Sequence, residues 1–262
     1  MTTPSNPTAT AAALRALHVP GAPLVLPNAW DAASASLVVA AGFPAVATSS
    51  AAVASVLGHG DGERAPVEEM LSAAARIASA VAVPVTVDFE RGYRLPAAEL
   101  VERFAATGAV GLNLEDSDPA TGEMLEASEQ ADFLASVRQA ALAMGVDLVI
   151  NARTDSFLRR AGSPTEQVDR TLLRGSRYLA AGADCVYPIG VTDLAVIGRL
   201  TQEIPGPVNV GFGRLGERPL AALAALGVAR VSFGPSLQRH LYNTFGTALL
   251  ASVAADRDPF RP

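Results

Sequence analysis

The chain has 262 residues, half of them hydrophobic and 18% charged, with a formal net charge of −6. That length suits one (β/α)₈ barrel of roughly 250 residues, and the apolar half can bury one large core. No basic stripe of the kind a nucleic-acid binder carries is present, and no run reaches the roughly 18 apolar residues of a membrane helix.

From the N-terminus, Met1 to Thr10 is rich in Thr, Pro and Ser and reads as a loose leader, since no basic region precedes an apolar one. A leader and a first helix are expected over residues 1–20, and one barrel domain over 21–262. Short apolar runs that suit fully buried strands follow at Leu24–Asn28, Ala45–Ser49, Pro84–Glu90 and Gly111–Asp116. Four more lie at Asp147–Thr154, Asp184–Ile189, Pro207–Phe212 and Arg230–Gly234. Segments with helical periodicity separate them, among them Ala97–Ala106, Glu129–Met144 and Thr165–Ala181. Ser163 is the expected cap of the last of these, with Pro164 at its first helical position. Cys185, the single cysteine, lies in a strand, excludes an intrachain disulfide and points to a reducing compartment, the cytosol. The histidines say little: His18 is expected at the surface and His240 in a packing role on the last helix. His59, beside Asp61, is a less favoured proton shuttle.

Strands alternating with helices eight times predict an α/β fold, a (β/α)₈ TIM barrel. A doubly wound open sheet is the alternative, but no G-x-G-x-x-G follows the first strand and the polar residues gather at many strand ends. In a barrel those C-terminal ends line the active site. They read Asn28-Ala29-Trp30-Asp31, Thr48-Ser49-Ser50, Asp88-Phe89-Glu90-Arg91-Gly92-Tyr93, Glu115-Asp116 and Asn151-Ala152-Arg153-Thr154-Asp155. Asp88 and Glu90 are two apart, so an extended strand would point both the same way. Glu115 ends the neighbouring strand, and three carboxylates at one mouth would repel each other. A hard divalent cation relieves that repulsion, and Mg²⁺ suits a few carboxylates completed by water and substrate oxygens, with Mn²⁺ a possible substitute. Arg153 supplies a planar fork for a substrate carboxylate. Any one of these acids alone could be a solvated surface group; in order, with an Arg among them, they define a site.

These residues carry a family resemblance. From about Leu24 onward the chain resembles the isocitrate lyase/phosphoenolpyruvate mutase superfamily. The matching stretches are Pro27–Ser34, Ala41–Phe43, Thr48–Ser50, Gly58–Glu63, Asp88–Tyr93, Leu114–Asp116 and Asn151–Asp155. The resemblance implies that Asp88 holds Mg²⁺ directly or through water, with Glu90 and Glu115 holding its waters and Asp61 joining that network. It implies that Ser49, with the backbone N–H groups of Ser50 and Ala51, holds a substrate carboxylate or enolate oxygen. Arg153 would bind the carboxylate, and Trp30 would wall the pocket. It further implies a tetramer (or dimer) whose last helix, over Leu237 to Ala254, is exchanged between subunits.

Departures narrow the reaction. The Lys-Lys-Cys-Gly-His type loop of isocitrate and methylisocitrate lyases, whose Cys donates the proton, is absent. The segment after the fourth strand, Ser117 to Met124, has no Lys or Asn of the phosphonate-processing kind, and the whole chain has no Lys. Schiff-base chemistry is therefore excluded. Arg94 stands where Gly is usual after Gly92-Tyr93. The leading expectation is a Mg²⁺-dependent carbon–carbon lyase or decarboxylase acting on a small 2-oxo or 2-hydroxy (di)carboxylic acid through an enolate-type intermediate. The alternatives are carbon–phosphorus chemistry on phosphonopyruvate, or non-catalytic binding of a 2-oxo acid. No nucleic-acid or membrane partner is expected.

Overall fold

The computed structural model describes residues 7–160, 162–214 and 219–260. Eight parallel strands close into a barrel. Pro27, which has no N–H to give to a ladder, breaks β1 into Leu24–Leu26 and Asn28–Ala29. β2 is Val46–Thr48, β3 Val85–Asp88 and β4 Gly111–Glu115. β5 is Val149–Thr154, β6 Cys185–Pro188, β7 Asn209–Gly211 and β8 Arg230–Ser232. The second segment of β1 pairs with β2, and the ladder then runs in chain order to β6. A single parallel bridge, Val186 to Val208, joins β6 to the β7 edge, β7 pairs with β8, and β8 closes on the first segment of β1.

The helices that cover the barrel form where the sequence supplies an apolar face and a start signal. In Ala97–Ala105, Leu100, Val101 and Phe104 are the buried face and Pro96 precedes the first turn. Ser163 accepts from the Glu166 N–H while Glu166 reaches back, a capping box that starts Pro164–Ala180 as expected. Alternation along β4 turns Leu112 and Leu114 out to a cluster with Leu100, Phe104 and Leu134. Gly111, Asn113 and Glu115 are thereby left for the inner side. A Cβ on Gly111 would lie 2.8 Å from Leu14 Cδ2 and 2.9 Å from Thr86 Oγ1, so the absent side chain makes room for the helix that plugs the barrel's lower end.

That helix, Pro7–Ala16, begins before the expected end of the leader at Thr10; the leader residues Met1 to Asn6 lie outside the described residues. Arg15 fixes it, bonding Asp147 at 2.6 Å and Asp184 at 2.7 Å. His18, expected at the surface, is instead buried: Nδ1 meets the Leu14 carbonyl at 2.8 Å and Nε2 lies 3.5 Å from Arg230 Nη1. Burial, reinforced by the Arg230 charge, pushes His18 down to about 4 from 6.5. Between those values the unfolded chain binds a proton that the folded chain refuses. The stabilisation is therefore complete above pH 6.5 and is lost as pH falls toward 4, by up to roughly 3 kcal/mol. Urea unfolding at pH 7 and 5 is expected to show a steeper loss for the parent than for His18→Gln; equal slopes would mean that His18 is not the group that protonates.

Beyond β8 the chain continues through Ser236–His240, a π-helical turn at Leu241–Gly246 and a last helix, Thr247–Ala254. Leu241, Tyr242, Phe245, Leu249, Leu250 and Val253 are exposed along it. His240, expected to pack, is also exposed; its ring meets the Phe245 ring edge-on and its Nδ1 lies 3.4 Å from Thr244 Oγ1.

Candidate active site

A cavity of about 160 Å³ opens at the C-terminal end of the barrel, lined among others by Ser49, Ser50, Ala51, Asp61, Asp88 and Arg153. Asn113, Tyr187, Ser232 and Arg239 share the lining. Its volume suits a molecule of a few heavy atoms.

Asp88 ends β3 and is the most heavily bonded acid facing the cavity. Its Oδ2 accepts from Ser50 N at 3.1 Å and Ser50 Oγ at 2.9 Å, and its Oδ1 accepts from Asn113 Nδ2 at 3.3 Å. Ser50 Oγ also stands 3.1 Å from Asp61 Oδ1. One hydroxyl carries one proton, so it cannot satisfy both carboxylates at once. The pair is left short of positive charge, and an all-oxygen set of this kind fits a hard cation.

Glu90 does not continue the strand. Its φ of 50° places it in a left-handed turn that runs on through Gly92, Tyr93 and Arg94. A Cβ on Gly92 would lie 2.7 Å from Leu100 Cδ1, so this turn packs against its helix only with glycine there. The turn aims Glu90 sideways, where Tyr93 OH donates to Oε1 at 2.7 Å and the Glu63 N–H donates to Oε2. Burial, with the charges of Asp88 and Asp61 adding to it, pushes Glu90 up to about 7 against these bonds. Glu115 is drawn the other way, to Arg153 Nη1 directly across the β4–β5 register. Burial pushes its carboxyl up, opposed chiefly by the Arg153 charge. The expected convergence of Asp88, Glu90 and Glu115 is therefore not direct. Among the described residues no three such side chains meet closely enough to hold an ion by themselves. Mg²⁺ commonly keeps several waters, and Asp88, with Asp61 beside it on Ser50, is the acid of the cavity that could hold it.

Arg153 has its fork fixed on the protein side. Nε and Nη2 bond Asp155 at 2.7 and 3.2 Å, and flanking carboxylates keep the guanidinium charged despite its burial. Among the described residues, two N–H bonds on its terminal nitrogens are left without a partner.

Ser49 lines the cavity as the cap residue of Ser50–Val56, yet its side chain makes no capping bond. The Ser50 N–H, expected to meet substrate, is taken by Asp88. Trp30 does not line this cavity. Trp30 lies instead in a separate groove with Val53, Leu57 and Arg76, edge-on to Tyr242, and Asp31 beside it caps the helix that follows. His59 pairs with Glu69 at 3.3 Å and is not in the lining either. Arg94 lies near Asp118, at 3.8 Å, beside a neighbouring surface cleft.

Sequence reasoning missed several lining residues. Asn113 carried a signal, a lone amide alternating with leucines in Gly111-Leu112-Asn113-Leu114-Glu115. Asn28 stands in the first strand end singled out from the sequence but was given no role: its amide clamps the mouth, accepting from Phe233 N and Gly234 N at 2.7 and 3.0 Å and donating to Thr48 O at 2.6 Å. Arg239, on a helix past the last strand, carried none.

A closed parallel barrel whose upper mouth joins acids, an arginine and hydroxyls is a (β/α)₈ enzyme of the kind that handles charge at strand ends. The family described as phosphoenolpyruvate phosphomutase matches residues 14–253, and the chain belongs to the phosphoenolpyruvate mutase/isocitrate lyase superfamily. A solved protein of Burkholderia cenocepacia J2315, described as a candidate phosphonomutase, is 42% identical with a TM-score of 0.86, over 94% of this chain and 99% of that one. The 2,3-dimethylmalate lyase of Eubacterium barkeri is 30% identical over 83% of this chain and 77% of its own length. The 2-methylisocitrate lyase of Escherichia coli K12 is 27% identical, over 84% and 75%. The chain is thus an enzyme of the isocitrate lyase/phosphoenolpyruvate mutase type.

Proposed function

We propose that this enzyme makes or breaks a carbon–carbon bond, as a Mg²⁺-dependent lyase or decarboxylase, in a small 2-oxo or 2-hydroxy (di)carboxylic acid by way of an enolate-type intermediate. The observation that carries the reading is the shared cavity of Asp88, Asp61 and Arg153, in a chain with no lysine. Without an amine to form a Schiff base, negative charge developing on a substrate oxygen must be met electrostatically. Bound Mg²⁺ (or Mn²⁺) supplies that Lewis-acid stabilisation. Asp88 would hold it, with Asp61, Glu90 and Glu115 orienting its waters. Arg153 directs its free N–H bonds to the substrate carboxylate. The Ser49 hydroxyl, which makes no capping bond, would meet an adjacent oxygen together with the first-turn N–H of Ala51. Arg239, which shares the lining, would meet a second carboxylate.

A second reading, carbon–phosphorus chemistry, is favoured by the phosphomutase family match and by the Burkholderia relative. Against it stands the segment Ser117 to Met124, which carries no lysine or asparagine. Oxaloacetate, alkylmalates and phosphonopyruvate, each incubated with enzyme and Mg²⁺, separate the two. Turnover of a carbon acid with an unchanged phosphorus NMR spectrum is expected. Conversion of phosphonopyruvate alone would replace the first reading with the second.

The apolar row from Leu241 to Val253 fits burial against further copies of the chain, as a tetramer or dimer in which this helical segment crosses between subunits. A cytoplasmic setting agrees with the single buried thiol, and no described helix is long and apolar enough to cross a membrane.

A further inference from the structure

Arg174 lies on the helix Pro164–Ala180, outside the cavity, and is buried. Its Nη1 donates to Asp116 Oδ2 at 3.0 Å and to Tyr178 OH at 2.8 Å. Tyr178 OH in turn donates to the same Asp116 oxygen at 2.8 Å. The other Asp116 oxygen accepts from the backbone N–H of Asp155 at 2.9 Å, and the Asp155 carboxylate holds Arg153. An unbroken chain of bonds therefore runs from an outer helix to the arginine of the cavity.

A second branch leaves the same guanidinium. Arg174 Nη2 donates to Leu125 O at 2.5 Å, and the Leu125 N–H donates to Asp116 O at 2.8 Å. Leu125 closes a small hairpin braced by the Ser117–Met124 bridge and by Gly122 N to Asp118 O at 2.7 Å. Arg159 ties the other leg, with Nε 3.3 Å from Ser117 Oγ and 3.7 Å from Asp155 Oδ2. The hairpin and the end of β5 thus share their fastenings.

Asp116 and Asp155 have no solvent exposure, and well-packed apolar side chains would hold a barrel together as well as buried ions do. What ions add is direction. We propose that Arg174 is a positioning residue: through Asp116 and Asp155 it sets the orientation of Arg153, and through Leu125 it holds the 117–125 hairpin in the same frame. The proposal rests on the reading of Arg153 as the carboxylate-binding group. Arg174 itself touches no substrate.

The test uses the full-length enzyme with oxalate as probe, at saturating Mg²⁺, and Mn²⁺ binding measured without oxalate. Supporting side chains of this kind are typically worth 10- to 100-fold at the group they orient. Arg174→Met is expected to weaken oxalate binding about tenfold while leaving Mn²⁺ binding within about twofold, because Asp88 is outside this chain of bonds. Arg174→Lys, which keeps the charge on Asp116 but cannot fork to Leu125, should recover part of the loss. A folded Arg174→Met enzyme with parental oxalate affinity, or one in which metal and oxalate affinities fall together, overturns the proposal. If Arg174→Met does not fold, Tyr178→Phe removes one bond to Asp116 without stranding a charge, and the same split between oxalate and metal decides. Should the parent bind no oxalate, the carboxylate reading of Arg153 fails, and amide exchange decides on the frame alone. Faster exchange at 117–125 and at Asp155 together supports it; unchanged exchange at either refutes it.

Discussion

Asp88→Asn is expected to cut turnover by roughly 10³-fold and to abolish stabilisation by Mg²⁺ with oxalate, a planar stand-in for a pyruvate enolate. The substitution is nearly isosteric, but the bonding pattern rejects it. Ser50 gives two donors to one Asp88 oxygen and Asn113 gives one to the other. An amide NH₂ on either side therefore faces a donor. Asn113 cannot turn to help, because its own oxygen already accepts from Asn151 Nδ2 at 2.8 Å and Arg230 Nη2 at 3.3 Å. The structural cost is about 1 kcal/mol, one mispaired hydrogen bond. The functional cost is larger, since the charge that would hold the cation is gone. In the parent, oxalate at about 100 times its dissociation constant adds roughly 2.7 kcal/mol, several degrees of unfolding temperature for a chain of this size. Thermal unfolding with Mg²⁺ and oxalate, together and separately, reads this directly. Were the variant to keep the parental shift, Asp88 would not be the metal-holding acid.

How this site was legible in the sequence, and where it was not, follows from what strand periodicity encodes. Alternation of buried and inward residues is a local property, so the eight strands, and the ends carrying Asp88, Glu115 and Arg153, could be read in order. Period-2 reasoning fails where the backbone leaves the extended region. It aimed Glu90 beside Asp88, but a left-handed turn sends it to Tyr93 and Glu63. Nor does periodicity say which opposite charge an acid will find. Glu115 and Arg153 share a register position, and their pairing replaces a converging acid triad with a cation flanked by acids. His18, Trp30 and Arg239 fail for a different reason. Each is placed by contacts far along the chain, with Arg230, Tyr242 and the cavity rim respectively. No window of neighbouring residues contains that information.

The flanked cation makes Arg153→Met a strongly destabilising change. Arg153 neutralises Glu115 and Asp155, and Asp155 has no solvent exposure. Its removal leaves two buried carboxylates, and among the described residues the other ion pair to them is from Arg159, partly exposed and 3.7 Å from Asp155. Stranding buried charge in this way costs about 3 to 5 kcal/mol, or on the order of 10 °C in unfolding temperature for a chain of this length. Arg153→Lys should behave differently. An ammonium keeps the charge and recovers much of that stability, but it cannot bond Asp155 through two nitrogens and still present N–H groups to a ligand. The lysine variant is therefore expected to fold near the parental temperature and to bind oxalate at least tenfold more weakly, whereas the methionine variant loses both. Calorimetric unfolding and oxalate titration on the two variants keep the roles apart. A methionine variant as stable as the parent would mean that the acids around Arg153 find compensation elsewhere. A lysine variant that bound oxalate normally would show that charge alone, without the planar fork, is what the carboxylate meets.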